Sequence, residues 1–281
     1  MFARMGRSWR LVKASASVLR QDTELLLFPL ISMCALVLVM ASFIVPVFGL
    51  GLMGERMGED GLSAAMYGVA FLFYFSQYFV IFFFNSALVG AAMIRLEGGN
   101  PSFGDGMRIA TSRIGTIAGY ALIAATVGMI LRAIQERVGF IGKIIVAMLG
   151  VGWTIATFMV VPVLVTKKVG PVDAIKESAG LLKKTWGENV IGQAGIGLAF
   201  GLIFFAVIIV GAAIVLGAFA TGSVALILLS LVLVGVAIAA TALIQAALSG
   251  IYSAALYRYA TKGEGTPGFD NAALKLAFAP K

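Results

Sequence analysis

The sequence is divided into apolar blocks that are too long for the core helices of a soluble domain. A helix of about 20 predominantly apolar residues is enough to cross the hydrocarbon core of a bilayer. We therefore predict an all-α polytopic membrane protein with about six transmembrane helices, of which the second and the sixth are overlong. The six blocks lie at about residues 25–50, 62–94, 114–131, 144–165, 190–217 and 224–257.

Few residues of the chain could carry catalytic or metal-binding chemistry. Only 12% of the 281 residues are charged, about half the usual share of a soluble domain. The single cysteine, Cys34, excludes an intramolecular disulfide and a thiol–metal cluster. The chain has no histidine, which removes the commonest general base and metal ligand. We expect no catalytic residue, no metal and no cofactor, and therefore a non-enzymatic protein.

Basic residues flank the blocks unevenly. Seventeen lie on the side of the N-terminus, and the opposite side holds only Arg56, Arg132, Arg137 and Lys143. By the positive-inside rule, both termini are predicted to be cytoplasmic. The net charge of +8 is then explained by the topology and by contacts with lipid head groups, and we expect no nucleic-acid partner. The basic cluster at 132–143 runs against this trend, and a shallow re-entrant third and fourth span is the alternative.

The blocks group into three pairs, each preceded by a segment with the apolar spacing of an amphipathic helix. Ser102 and Asp105 resemble a capping box at the start of the second segment. We predict a single membrane domain, 1–281, with three hairpins, each introduced by a cytoplasmic interfacial helix. Residues 258–281 are predicted to be a cytoplasmic tail with a short amphipathic segment. The interfacial segments are 1–20, 102–113 and 171–186, and the hairpins are 25–94, 114–165 and 190–257.

The basic residues of the interfacial segments have two interpretations. Amphipathic connectors commonly lie at the interface without a ligand, but each basic residue near an anionic leaflet also contributes about 1 kcal/mol of attraction. On the second interpretation the partners are the phospholipid bilayer and its anionic lipids on the cytoplasmic side. The residues predicted to contact anionic lipid are Arg4, Arg7, Arg10, Lys13, Arg108, Arg113, Lys176, Lys183 and Lys184.

Two stripes of neutral polar residues follow the second and sixth blocks. Buried polar side chains in lipid require hydrogen-bonding partners, so these stripes are expected to face protein or a hydrated cavity. They serve either as interhelical contacts or as a solute path or lipid-head-group pocket. No acidic residue falls inside a block, which argues against ion-coupled transport. The stripes consist of Tyr74, Gln77, Tyr78, Asn85, Thr241, Gln245, Ser249 and Tyr252.

Two segments of the sequence resemble a loose group of bacterial six-span proteins. They are residues 177–189 (ESAGLLKKTWGEN) and 100–106 (NPSFGDG). The group includes uncharacterised integral membrane proteins, YciC-like proteins and the membrane domain attached to some glycerophosphodiester phosphodiesterases. The resemblance covers nearly the whole chain and implies a bacterial inner-membrane location and a lipid-related role. The sequence contains no soluble phosphodiesterase domain, so we do not expect that activity.

Two functions are compatible with these features. The first is a non-enzymatic, lipid-interacting or membrane-organising protein that acts as a homo-oligomer through its basic interfacial helices. The pair Gly197 and Gly201 has a spacing that permits close helix packing within or between subunits. The second is a channel or facilitator for a small solute, lined by the neutral polar residues of the second and sixth spans.

Overall fold

The computed structural model describes residues 13–49, 64–184 and 186–262, which form helices and, within these ranges, no strand. Residues 13–21 are helical (α1) and lead through a 3₁₀ turn at Thr23–Leu26 into the first long helix. The following helices are α2 (Leu27–Gly49), α3 (Ala64–Leu96), α4 (Phe103–Ser112), α5 (Ile114–Arg137), α6 (Phe140–Ala156), α7 (Val160–Thr166), α8 (Pro171–Lys184), α9 (Trp186–Ala220) and α10 (Val224–Lys262).

Six helical segments are long and apolar enough to cross a membrane, which confirms the predicted number of spans. The segments are Thr23–Val45, Tyr67–Leu96, Ile114–Arg137, Phe140–Thr166, Ala199–Ala220 and Val224–Lys262. The finer prediction of three hairpins behind amphipathic interfacial helices stays a prediction, as do the bounds of those units. The N-terminal segment 1–12 and the tail from residue 263 lie outside the described residues.

The second and sixth spans are continuous helices. They contain 33 and 39 residues, so α3 is about 50 Å long and α10 about 58 Å. Because the hydrocarbon core is about 30 Å thick, both helices must tilt or extend beyond it. The break occurs instead in the fourth span, where residues 157–159 separate α6 from α7.

The break in the fourth span is stabilised by a side chain from another helix. Ser178, fully buried on α8, donates a hydrogen bond to the carbonyl of Ala156 (2.7 Å) and accepts one from the N–H of Met159 (3.0 Å). A helix end inside a membrane would otherwise leave these backbone groups without partners. The α8 helix therefore contributes one hydroxyl that makes an interrupted span possible.

The core of the protein lies at one end of the helices, which we call the base. The base contains the end of α3, the start of α5, the end of α7 and the last third of α10. Helix α3 is central, because it contacts α2, α4, α5, α7 and α10. The seven residues 251–257 of α10 are all buried, as are Ala87, Leu88 and Val89 of α3. The opposite end of the helices, which we call the far end, exposes most of its apolar side chains.

Polar contacts join the segment before α2 and the helix ends that meet at the base. Arg95 donates to Asp22 at 2.6 Å, and both side chains are largely buried. Lys262 pairs with Glu97 at 2.9 Å, and Arg258 donates to the carbonyl of Leu96. These bonds link the segment before α2, the end of α3 and the end of α10. The base is therefore held by charged contacts as well as by apolar packing.

A second set of polar contacts links α7 and α8 to the base. Thr166 donates to the hydroxyl of Tyr257 at 2.9 Å, which joins α7 to α10. Lys167, just after α7, donates to Glu177 of α8. This hydrogen bond raises the pKa of the Lys167 ammonium above its ordinary value. The α8 helix is thus anchored at its exposed side by Lys167 and at its buried side by Ser178.

Helix α4 begins with the expected capping box. The Ser102 hydroxyl accepts from the N–H of Asp105 at 3.2 Å, and Asp105 accepts from the N–H of Ser102 at 3.0 Å. This confirms the prediction for these two residues. The hydrogen bonds from Ser102 hold the pKa of the Asp105 carboxyl below its usual value.

The buried side of α4 packs against protein. Phe103 stacks on Phe28 with ring centroids 4.9 Å apart, and its N–H donates to Glu24. Gly106 lies so close to α3 that an added Cβ would meet the carbonyl of Ala87 at 2.7 Å. The apolar residues of this segment are thus used for helix packing at the base.

Candidate intramembrane binding cavity

A cavity of about 650 Å³ lies among α2, α3, α5, α6, α10 and the break in the fourth span. Its size is typical of small-molecule sites, which range from about 300 to 1,000 Å³. Asn85 lies 11 residues, or about 16 Å along the helix, from the end of α3, and the cavity adjoins the base at Leu88 and Ser253. Its polar lining residues are Ser32, Tyr78, Asn85, Tyr120, Trp153, Thr154, Thr157, Ser249 and Ser253.

Three of the eight residues predicted for the polar stripes line this cavity. Tyr78 and Asn85 come from α3, and Ser249 comes from α10. The backbones approach closely here, since a Cβ on Gly250 would lie 3.3 Å from Oδ1 of Asn85. The two stripes therefore meet at one place, on the inner side of the α3–α10 contact.

The other five stripe residues lie outside the cavity wall. Tyr74 accepts a hydrogen bond from Arg132 of α5, and Thr241 donates to the carbonyl of Ala237 on its own helix at 2.8 Å. The Gln77 amide nitrogen and the Tyr252 hydroxyl are buried without a hydrogen-bond partner among the described residues. Gln245 is half-buried. These residues act in helix contacts or remain unassigned.

The part of the cavity wall that is formed by α5 and the fourth span was not predicted from the sequence. Tyr120 packs on Phe82 with ring centroids 4.5 Å apart, and its hydroxyl faces Thr157 at the break. Trp153 and Thr154 lie one turn earlier on α6. Polar residues in the third and fourth blocks were the available signal, but they do not form a continuous stripe on either helix.

The hydrogen-bonding groups of the cavity fall into two classes. The hydroxyls of Thr154, Thr157 and Ser253 donate to carbonyls of their own helices, at 3.0, 2.8 and 2.8 Å. Asn85 and Ser249 make no side-chain hydrogen bond within the described part of the chain, and the same is true of Ser32, Tyr78 and Trp153. The first class is internally satisfied, and the second is free to bind a ligand.

The cavity is open at its side and closed toward the base. Thr154 on α6 and Ala242 and Ala246 on α10 belong to its wall and are exposed. Because these residues lie within membrane spans, the opening faces the bilayer. Toward the base, the buried residues 159–164 and 251–257 are largely packed together. These residues form a packed layer on the base side of the cavity.

A second cavity of about 460 Å³ extends the first one toward the far end. It lies between α5 and α6 and includes Gly128, Leu131 and Gly150. The two cavities share Tyr78, Ala124, Trp153 and Thr154 as wall residues. Together they form a tract along the bilayer-facing side of the fourth span.

The basic residues predicted to contact lipid are not part of the cavity. Arg108 pairs with Asp105 at 2.7 Å and Lys176 with Asp173 at 3.6 Å, so both charges have an acidic neighbour on the same helix. Lys13 and Lys183 are exposed and Arg113 is half-buried. Arg4, Arg7 and Arg10 and the side chain of Lys184 lie outside the description of the structure.

No group of three or more potential metal-ligating side chains comes together in the part of the chain that the structure describes. Comparison with curated proteins and with solved structures finds no match, and no similarity to YciC-like proteins or to phosphodiesterase membrane domains is shown. A family model does match residues 64–269, which include α3 to α10 and thus most of the cavity. The chain therefore belongs to the family of unknown function DUF6159.

Proposed function

We propose that the protein is a non-enzymatic membrane protein that binds a lipid in the intramembrane cavity. The observation that carries this proposal is the shape of the cavity, which is open to the bilayer between α6 and α10 and closed toward the base. A molecule that is already dissolved in the bilayer can enter such a site from the side. A water-soluble ligand would have to pass the packed base or the lipid.

The wall chemistry supports the same conclusion. Most of the lining residues are apolar, including Leu36, Phe82, Phe158 and Leu243. Ligand pockets of this kind bury apolar surface and use a few placed polar groups for orientation. An acyl or isoprenoid chain suits the apolar walls, and Asn85 and Ser249 supply the polar groups.

Basic residues at the base form the second part of the proposal. If both termini are cytoplasmic, Arg108, Lys176 and Lys183 lie near the inner leaflet, where they attract anionic lipid. We place the protein in a bacterial inner membrane as a homo-oligomer with this orientation. The intrahelical ion pairs of Arg108 and Lys176 reduce the attraction, so Lys183 is the strongest single contributor.

A solute facilitator is the second candidate, and one observation favours it. Asn85 of the second span and Ser249 of the sixth line a common cavity. Transport would require the buried layer at residues 251–257 to separate from the fourth span. Proteoliposome flux that changes in Asn85→Leu is the measurement that would support this function.

The lipid proposal is tested by filling the cavity. In Ala246→Phe a ring is placed in the wall at the side opening, and we expect native mass spectrometry of the protein from nanodiscs to show one fewer retained lipid. Ala240→Phe is the matched control, because Ala240 is an exposed alanine of α10 that does not line the cavity. Equal lipid retention in both variants and in the unaltered protein would refute the proposal.

A further inference from the structure

We infer that the ligand of the cavity is an uncharged lipid whose head carries a hydroxyl or carbonyl group, with that head on Asn85 and the tail directed toward the side opening. Diacylglycerols and quinones share this chemistry. The inference rests on the lipid site proposed above, and it narrows the class of lipid. It excludes ionic phospholipids as the preferred occupant.

The first argument is the charge of the wall. Every described residue that lines the cavity is neutral. An ionised phosphate that leaves the water interface for such a site loses its hydration and gains no counter-charge, which costs many kcal/mol. The nearest basic residues by position on α3 and α10 are Arg95 and Arg258 at the base. Arg95 pairs with Asp22, and Arg258 donates to the Leu96 carbonyl while its buried Nε has no hydrogen-bond partner among the described residues. A neutral head avoids this penalty.

The second argument is the type of hydrogen-bonding group that remains. The Asn85 side chain offers both a donor and an acceptor, and the Ser249 hydroxyl does the same. Neither makes a side-chain hydrogen bond to the described residues. A lipid hydroxyl or carbonyl can satisfy them, whereas a pure hydrocarbon leaves both groups without partners.

The third argument is position. Asn85 lies about 16 Å along α3 from the end of that helix, so it is inside the span Tyr67–Leu96 rather than at its end. Phospholipid head groups lie at the interface, but diacylglycerols and quinones have small heads that can enter the bilayer interior. The apolar wall at Phe84, Leu243 and Ala246 then leads from Asn85 to the exposed side of α10.

Trp153 provides a built-in probe because it lines both cavities. The chain has three tryptophans, so Trp9→Phe with Trp186→Phe leaves Trp153 as the only one. This protein would be placed in phosphatidylcholine nanodiscs that contain increasing mole fractions of diacylglycerol with brominated chains. We expect saturable quenching of Trp153 fluorescence that unbrominated diacylglycerol reverses. A short-tailed quinone quenches tryptophan itself, so its binding is measured as saturable quenching in nanodiscs without brominated lipid.

Head-group selectivity and the role of Asn85 are measured in the same assay. Brominated phosphatidylglycerol is expected to need a mole fraction at least about tenfold higher for the same quenching. Asn85→Leu should weaken diacylglycerol binding by about tenfold, the effect of one buried hydrogen bond. Thr241→Val is the matched control, since its hydroxyl bonds its own helix away from the cavity, and it should bind like the parent protein.

The outcomes separate this inference from the lipid proposal. Phosphatidylglycerol that quenches as well as diacylglycerol, and no effect of Asn85→Leu, would overturn the neutral-lipid inference while the cavity remained a lipid site. Quenching that Ala246→Phe leaves unchanged for every lipid would overturn both. If Asn85→Leu does not fold, Ser249→Ala decides, because it removes the second unpaired polar group at the same place in the cavity. Diacylglycerol binding that is unaltered in Ser249→Ala would then count against the inference. Saturable quenching by brominated diacylglycerol alone, or by the quinone alone, identifies which of the two sources fits.

Discussion

The two halves of α10 are packed in opposite ways. Residues 251–257 are buried against α3 and α7, whereas Leu229, Val232 and Val236 are each more than half exposed. The buried half is rich in small residues such as Ala247, Gly250 and Ser253, and the exposed half is rich in large aliphatic ones.

This difference reflects the solvent of each half. Lipid tails are as apolar as leucine, so burial of a large aliphatic side chain against protein gains little within the bilayer. Close backbone approach and polar bonds then specify where helices meet. The base is stabilised by such contacts, and the far end is solvated by lipid. Substitutions at the base should therefore cost more stability than equivalent ones at the far end.

The largest effect is expected for the buried ion pair of the base. Arg95→Ala leaves the Asp22 carboxylate, which is 9% exposed, without its counter-charge. Loss of one partner of a buried pair typically costs about 3 to 5 kcal/mol. We expect about 3 kcal/mol in the free energy of unfolding, measured by denaturant titration in detergent micelles.

The far end supplies the comparison for this ion pair. Arg132 pairs with Glu136 at 3.0 Å, and both side chains are more than 60% exposed. Glu136→Ala, which leaves the hydrogen bond from Arg132 to Tyr74 in place, should therefore cost about 0.5 kcal/mol or less. A cost as large as that of Arg95→Ala would contradict the contrast between the two ends.

Steric contacts at two glycines, one at each end of the helices, test the difference between the base and the far end. Gly106→Ala places a Cβ against the Ala87 carbonyl of α3, and backbone cannot move aside easily, so we expect a loss of about 2 kcal/mol. At the far end, a Cβ on Gly211 would meet the side chain of Val234 at 2.8 Å. Val234 can shift, so Gly211→Ala should cost less than half as much. Thermal unfolding of both variants beside Gly104→Ala, whose Cβ would make only an ordinary contact with the Ser102 hydroxyl at 3.6 Å, is the measurement.

The number of spans could be predicted because hydropathy is a property of each segment alone. The capping box at Ser102 and Asp105 was predictable for the same reason, since its two residues are three positions apart. The break at residues 157–159 was not predictable in this way. It depends on Ser178, about 20 residues later, whose hydroxyl reaches the break only after α8 has packed on α6 and α7.

The cavity was only partly predictable from helical wheels. A wheel groups Tyr78 and Asn85 on one side of α3, but it cannot show which helix that side faces. Gln77 was therefore placed with them, although it lies outside the cavity wall. Tyr120 and Trp153 were missed because neither belongs to a polar stripe on its own helix. Their shared position results from the packing of α5 and α6 around α3.

Loss of the Ser178 hydroxyl at the helix break should lower the free energy of unfolding more than loss of the Ser230 hydroxyl at the far end. Ser178→Ala removes the partner of the Ala156 carbonyl and the Met159 N–H, both at a buried site. An unsatisfied buried group costs about 1 to 3 kcal/mol, and we expect about 1.5 kcal/mol from unfolding curves. Ser230 is also buried but donates to Ile227 of its own helix, so Ser230→Ala should be close to neutral. Equal effects would show that the break does not depend on Ser178.

The smallest effect is expected for the pH dependence of the stability of the first turn of α4. The hydrogen bonds from Ser102 lower the pKa of the Asp105 carboxyl below its ordinary value of 3.8. A group with a lowered pKa in the folded state stabilises that state above its unfolded pKa, and the contribution is lost as the pH falls through the folded value. Amide hydrogen exchange of α4 should therefore be protected equally at pH 6 and pH 5 and should lose protection below about pH 4. Asp105→Asn should remove that pH dependence, and an unchanged acid response in this variant would assign it to another carboxyl at the base.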